Sequence, residues 1–328
     1  MAQKLIRVFG ISSVSPAKQT TSDKNDIVDT TLEIAKEAIQ NNSSFAVRCR
    51  RVGQQPYSSL DICRELGKQI QTKLSQKSLT VNLTHPDITI NVEIRGEQAY
   101  VYAEIIQAQG GFPLGSQART VCLLSGGIDS PVACWLAMKR GSPIIPIYID
   151  NIPYTDERTR DKAIATAKKL QERTAGTPKR IYIIPNGENI RIIQNKAPEK
   201  FTCLLCKRLM YRIAEQIANK EKAFGIITGE AIGEQASQTV HNLFAIDEAA
   251  AFYPIHRPLL GFDKTETEAI ARKIGTFEIS TKKAKNCTAA PCKPATRAKL
   301  QAVKEAEEKL NIPEMVERAL KAAEVVTI

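Results

Sequence analysis

No apolar run in this 328-residue chain approaches the ~18 residues needed to cross a bilayer. The opening stretch from Met1 to Pro16 also lacks the apolar core and small-residue cleavage site of a signal peptide. Membrane partners and export are therefore not expected, and a cytoplasmic location is. No internal repeat or low-complexity tract occurs. Acidic residues are missing from one long stretch: between Ile279 and Lys304 there are seven basic side chains and no acidic one. That density raises the local concentration of a polyanion such as RNA, although a merely solvated basic face has the same composition.

What is present reads as a globular chain with room for two domains, at 43% hydrophobic and 25% charged residues. The 46 Lys and Arg against 35 Asp and Glu give a net charge of +11. Residues 1–118 hold 13 of those bases and 11 of those acids, so most of the excess lies downstream. Eight cysteines in a reducing compartment are not expected to form disulfides. Cys49, Cys63, Cys122 and Cys134 lie singly in apolar runs and read as core packing. The others form two short pairs, Cys203-x-x-Cys206 and Cys287-x4-Cys292, both in the basic half.

The first 118 residues alternate helical and strand patterns. Val28, Leu32, Ala35 and Ile39 recur as one face of a helix over 26–40, and Phe45 to Arg50 alternates as a strand. Ser58 or Ser59 caps a helix carrying Ile62, Leu66, Ile70 and Leu74, and a hairpin follows through Ile88–Ile94, Gly96 and Tyr100–Ile106. This predicts a small α+β module over 1–108. The Gly-rich stretch 109–118 reads as a linker. From 119 to 328 short apolar strands (120–124, 144–149, 180–184, 224–228) alternate with helices (129–140, 156–174, 204–220), the pattern of a parallel sheet covered on both faces.

Ser125-Gly-Gly-Ile-Asp-Ser130 stands between the first strand and first helix of that second domain, at the carboxyl end of the expected sheet, where ligands bind in open α/β folds. Gly126 and Gly127 let backbone N–H groups approach a phosphate, and the helix start adds partial positive charge. Pro131 suits the first helical turn. Asp129 does not belong in a simple anion cradle. A carboxylate there points to Mg²⁺, and so to the triphosphate of a Mg-nucleotide.

Leu123 to Ser130 resembles the PP-loop of N-type ATP pyrophosphatases, without the Gly-Lys-Ser/Thr ending of a Walker A loop. Phe45 to Gly53, Ser58 to Asp61, Asn82 to Val92 and Gly110-Gly-Phe-Pro-Leu-Gly115 together resemble a THUMP RNA-binding domain. Lys207 to Met210, Thr228-Gly-Glu230, Gly233 to Thr239, Arg257-Pro-Leu259 and Asp263-Lys264 then follow in the order found in the tRNA 4-thiouridine synthetase (ThiI) family. The resemblance, spanning about residues 4 to 300, implies an α/β PP-loop domain preceded by THUMP, and an enzyme that adenylates uracil O4 of tRNA with ATP and replaces it with sulfur.

It further implies a nucleotide site made of Leu123, Leu124, Ser125, Gly126, Gly127, Asp129, Ser130, Tyr148, Ile149, Lys207, Gly229 and Gln238. Asp129, Lys264 and Cys287 are the implied catalytic residues. Cys203, Cys206 and Cys287 match the archaeal-type members, in which three thiolates hold an iron–sulfur cluster; Zn²⁺ with Cys292 as a fourth ligand, or a metal-free persulfide or disulfide pair, stays open. Implied partners are tRNA and sulfide or a cysteine-desulfurase donor, with a homodimer among the possible assemblies. A PP-loop enzyme acting on another base and a non-catalytic zinc-bearing RNA-binding protein are the alternatives. The family's rhodanese domain is not expected here, and its N-terminal ferredoxin-like domain is expected only as a remnant strand around Lys4 to Val8.

Overall fold

The computed structural model describes residues 1–172 and 179–328. It divides into two compact units, Met1–Gln109 and Gly110–Ile328. No described helix is long and apolar enough to cross a membrane.

The first unit opens on α1 (Ala2–Leu5) and β1 (Ser13–Val14), followed by β2 (Lys18–Thr21), α2 (Lys24–Ala38), β3 (Ser44–Val52) and α3 (Ser59–Lys73). β4 (Thr80–Val81), β5 (Ile88–Arg95), β6 (Gln98–Tyr102) and β7 (Ile106–Gln107) complete it. Five strands form a sheet in the order β2-β6-β5-β3-β4, and β1 pairs separately with β7. Ser58 caps α3 with a full capping box, its hydroxyl accepting from Asp61 N while the Asp61 carboxylate accepts from Ser58 N.

The α2 face differs from the expected one. Ile27, Thr31, Ile34 and Ala35 are buried, whereas Val28 and Leu32 only flank the core. No strand forms over Lys4 to Val8. Residues 2–5 instead close on themselves, with Leu5 N and Ile6 N donating to the Met1 and Ala2 carbonyls, because the strand partner available at Ile106–Gln107 is taken by Ser13–Val14. Cys49 and Cys63 are half-buried rather than fully packed, and Cys122 and Cys134 are buried as expected.

Period-2 alternation gives the sheet two unlike faces. Phe45, Val47, Ile90, Val92 and Ile94 pack with Ile62, Leu66 and Ile70 of α3. On the other side Arg48 and Arg50 are exposed, and β-pairing aligns Arg50 with Glu93 and Glu93 with Tyr100.

The second unit carries β8 (Thr120–Leu123), α4 (Asp129–Lys139), β9 (Ile144–Asp150), α5 (Glu157–Gln171), β10 (Arg180–Pro185), α6 (Gly187–Lys196) and α7 (Thr202–Glu221). β11 (Ile226–Ile227), α8 (Val240–Asp247), β12 (Ile255–His256), α9 (Lys264–Ile274), α10 (Phe277–Ser280), α11 (Leu300–Glu307), α12 (Ile312–Lys321) and β13 (Glu324–Thr327) follow. Positions 173 and 174 of the expected helix 156–174 lie outside the described residues. The stretch read as a linker is seated from Gly110 onwards in this unit, where Phe112 N donates to Lys139 O and Gly115 N to Gly141 O. The sheet order is β12-β11-β8-β9-β10-β13, parallel except for β13. All seven residues of β9 are buried, as a strand covered on both faces requires. Because β9 and β11 flank β8 on opposite sides, the loops leaving β8 and β11 meet at a topological switch point.

Candidate active site

The loop from Ser125 to Ser130 is shaped by its own hydroxyls. Ser125 N donates to Ser130 Oγ at 2.8 Å, the two serine hydroxyls pair at 2.9 Å, and Gly127 N donates to Ser125 Oγ at 3.2 Å. Gly126 is needed for packing, since a Cβ there would stand 3.1 Å from Thr159 Cγ2 and 3.2 Å from its carbonyl oxygen. From β11, Gly229 presses against the same loop so closely that a Cβ would come within 2.5 Å of Ser130 N. The loop leads into the start of α4 and borders open space.

That space is a cavity of about 510 Å³ at the carboxyl end of the sheet. Leu123, Leu124, Ser125, Gly126, Gly127 and Asp129 form one wall, and Tyr148 and Ile149 another. Cys287 stands on its rim. Lys264, the first residue of α9, donates to Asp129 Oδ1 at 2.6 Å and to Glu234 Oε2 at 3.1 Å. Burial opposes its charge, but the two carboxylates outweigh burial and hold the ammonium above its usual pKa. A cation is thus held between two carboxylates beside a phosphate-type loop. Those hard oxygen donors suit Mg²⁺.

Comparison with known proteins settles the family. The thiamine biosynthesis protein (ThiI) model matches residues 115–312, and the THUMP domain model residues 21–104. A probable tRNA sulfurtransferase of Methanosarcina mazei is 44% identical over 323 residues, covering 98% of this chain and 80% of that protein. The chain belongs to the ThiI family of tRNA sulfurtransferases. Another relative, from Methanothermobacter thermautotrophicus, is 38% identical over 318 residues, 95% of this chain and 81% of that one. A crystal structure of a 4-thiouridine synthetase–RNA complex with bound ATP aligns with a TM-score of 0.91 at 34% identity, covering 99% of this chain and 85% of that chain.

Not every residue implied by the ThiI pattern lines the cavity in this ThiI-family chain. Ser130 is buried and turned back onto Ser125, and Gly229 acts through its closeness to Ser130. Gln238 ends a short 3₁₀ turn (Ala236–Gln238), with Oε1 buried and unpaired among the described residues. Lys207 is occupied elsewhere: its Nζ donates to Glu230 Oε1 at 2.7 Å. Glu230 also accepts from Arg257 Nε at 2.8 Å, Tyr211 Oη at 2.7 Å and Thr228 Oγ1 at 3.1 Å. Burial alone would raise its pKa, but Lys207 and Arg257 pull it down to about 2.

A depressed carboxylate contributes stability above its ordinary pKa of 4.5 that is lost as pH falls through the folded value of about 2. The family member should therefore lose stability across that window, and Glu230→Gln should flatten the dependence. Thermal melts from pH 6 downward check this. Unchanged slopes would remove Glu230 as the acid-sensitive group.

The cavity is completed by residues that motif reading did not reach. Asn151, Thr155, Thr159, Lys162, Ser280 and Asn286 all line it. Asp156 caps α5, which places Thr159 and Lys162 three residues apart on one helix face; that spacing was the available signal. Glu234 lies within the Gly233–Thr239 segment already read, but its pairing with Lys264, thirty residues away, had no signal in the spacing.

The three implied metal cysteines converge from α7 and the loop after α10. Burial raises the Cys206 thiol to about 12, with Cys203 and Cys287 adding to the shift, while Asn186 Nδ2 lies 3.6 Å from its sulfur. Cys203 is raised too, by burial and then by Cys287. Three soft thiols within electrostatic reach are the right donor chemistry for an iron–sulfur cluster. Their arrangement is not that of a finished site: among the described residues no three His, Cys, Asp or Glu side chains stand together to hold a metal. Cys292 is exposed.

Proposed function

We propose that this ThiI-family tRNA sulfurtransferase makes 4-thiouridine, at the position-8 uridine of tRNA, through an adenylated O4 intermediate. The observation that carries the reading is a single cavity bounded by the Ser125–Ser130 phosphate loop and by Cys287. The solved RNA complex with bound ATP supports both substrates. The THUMP unit at 1–108 and the PP-loop unit at 119–328, with residues 110–118 packed onto the latter, divide the work between RNA holding and chemistry.

The backbone of Gly126 and Gly127 and the start of α4 hold the ATP phosphates. Tyr148 and Ile149, near the carboxyl end of β9, border the adenine. Uracil O4 attacks the α-phosphorus, the bond to pyrophosphate breaks, and the N3 proton is released. Lys264 offsets the charge of the departing pyrophosphate. A hydrogensulfide nucleophile then bonds to C4, the C4–O bond breaks, AMP leaves with the old O4, and the sulfide proton passes to N3. Mg²⁺ bound by Asp129 would supply further charge for the first step. An iron–sulfur cluster on Cys203, Cys206 and Cys287 would supply a coordination position for sulfide.

The test incubates the protein anaerobically with ATP, Mg²⁺, unmodified tRNA and sulfide, and digests the RNA to nucleosides. One AMP and one pyrophosphate per 4-thiouridine is the expected result. ATP cleavage that leaves the RNA free of sulfur, or places it on another base, rejects the reading.

Holding of tRNA is assigned to the open face of the first unit's sheet. Exposed Arg48 and Arg50 there lie on rows that include Glu93, Tyr100 and Tyr102, a basic surface with aromatic rings for bases to stack on. Replacing both arginines by glutamine is expected to lower the slope of log affinity against log salt by roughly two units. A filter-binding salt series measures it, and an unchanged slope moves the contact off this face.

A further inference from the structure

The cation inventory of the second unit is uneven in a way the adenylation chemistry does not explain. Lys162, which lines the cavity, donates to the Lys282 carbonyl, while Lys264 at the cavity, and Lys207 and Arg257 around Glu230, are committed to carboxylates. So are Arg160, Arg180, Arg208, Arg212 and Lys304. Lys282, Lys283 and Lys285 are unpaired among the described residues, as Lys293, Arg297 and Lys299 are, but they alone of these six stand in the segment that lines the cavity, with Lys285 itself among its lining residues. All three are exposed, and none of their ammonium groups pairs with a carboxylate among the described residues; the one acidic contact is Asp156, whose carboxylate accepts from the main chain of Lys285.

These three lysines belong to the loop that follows α10 and ends at Cys287. Its course is tied to the active site through main-chain acceptors. Ser280 Oγ donates to Gly127 O in the phosphate loop at 3.1 Å. Lys162 Nζ, from a cavity-lining position on α5, donates to Lys282 O at 3.0 Å, and Thr159 Oγ1 approaches Lys285 O at 3.4 Å. Past Cys287, Thr288 N donates to Tyr154 O at 2.9 Å. The loop is held as a rim of the cavity by its backbone, and its ammonium groups are left to solvent. Three exposed like charges within four positions raise the local positive potential, which a polyanion can neutralise.

We infer that Lys282 and Lys283, with Lys285 beside them, form a phosphate-gripping rim that seats the tRNA backbone next to the nucleotide being modified. The inference deepens the proposed tRNA thiolation and rests on it. It adds a second RNA contact surface on the catalytic unit, separate from the arginine face of the first unit. The rim takes sugar–phosphate rather than bases: lysine ammoniums are point charges without the planar fork that reads base edges. It therefore sets where the strand lies over the cavity without selecting sequence.

The test compares two full-length variants with equal charge loss on the same acid-free segment: Lys282→Gln/Lys283→Gln, and Lys293→Gln/Lys299→Gln away from the cavity. All four side chains are exposed, so folding is not at issue. Affinity for an unmodified tRNA is measured across a salt series, ATP affinity by titration without RNA, and KM for tRNA in the thiolation assay. The rim variant is expected to lose up to about two units of salt slope and to raise KM for tRNA, with ATP affinity unchanged. The distal variant is expected to keep its slope. Equal losses in both variants would show only diffuse attraction by a basic segment, and lost ATP affinity would show that the lysines hold nucleotide phosphates; either overturns the rim. The binding series does not need turnover. Wild-type protein that binds tRNA with the full slope but forms no 4-thiouridine would sink the thiolation reading, while the slope comparison still decides the rim.

Discussion

Alanine at Asp129 or at Lys264 is expected to abolish tRNA-dependent pyrophosphate release, with at least a 100-fold loss on the order of a single removed electrostatic donor. The two side chains meet at 2.6 Å at the edge of the phosphate loop, and Glu234 holds Lys264 from the other side. They fail for different reasons. Without Lys264, two carboxylates face the incoming triphosphate with no fixed cation between them, so ATP affinity falls as well as turnover. Without Asp129, Lys264 keeps its bond to Glu234 and ATP still binds, but the carboxylate suited to Mg²⁺ is gone. Neither side chain is deeply buried, and both changes leave the fold and tRNA affinity near wild type. Isothermal titration with ATP separates the two defects from a pyrophosphate-release assay. Wild-type turnover in either variant rejects the assignment of this pair to adenylation.

The second large effect concerns sulfur. Cys203→Ala, Cys206→Ala and Cys287→Ala are each expected to remove 4-thiouridine formation and, in anaerobically prepared protein, the iron and sulfide content with its visible absorption. Cys292→Ala is expected to spare both, since Cys292 is exposed and a cluster held by the other three thiolates would keep a coordination position for sulfide. Adenylation should survive in all four, because the phosphate loop makes no use of thiols. A Cys292 variant as empty of metal as the Cys287 variant would mean four protein ligands and a structural metal in place of an open iron. Metal-free wild-type protein with full thiolation would point instead to a persulfide on one of the three thiols.

The phosphate loop was legible from residues alone because its demands are local. Two glycines, flanking serines and a proline in the first helical turn restrict the backbone wherever they occur after a strand. Lys207 was harder to read. Its sequence neighbourhood matches a phosphate ligand, but its partner Glu230 lies twenty-three residues on and is buried beneath three other donors, a long-range pairing no motif spacing encodes. The face of α2 was misjudged for a packing reason: apolar residues occupy both adjacent registers, and the sheet selected the one containing Thr31. Residues 2–5 went to a helical turn since a lone strand has no hydrogen-bond partner of its own. The cysteine pairs could be located from spacing but not joined, because their meeting depends on how the 281–287 loop returns to α7.

That loop is anchored by side chains reaching to its carbonyl oxygens, from Thr159, Lys162 and, in the reverse sense, Ser280 to Gly127. Carbonyls are the same whatever residue bears them. The path of the loop is consequently decoupled from the identity of residues 282, 283 and 285, and the surface they present can be rewritten by substitution without re-routing the chain. An engineer seeking to redirect the enzyme to a different RNA scaffold has three adjustable positions there, mounted on a support that stays put.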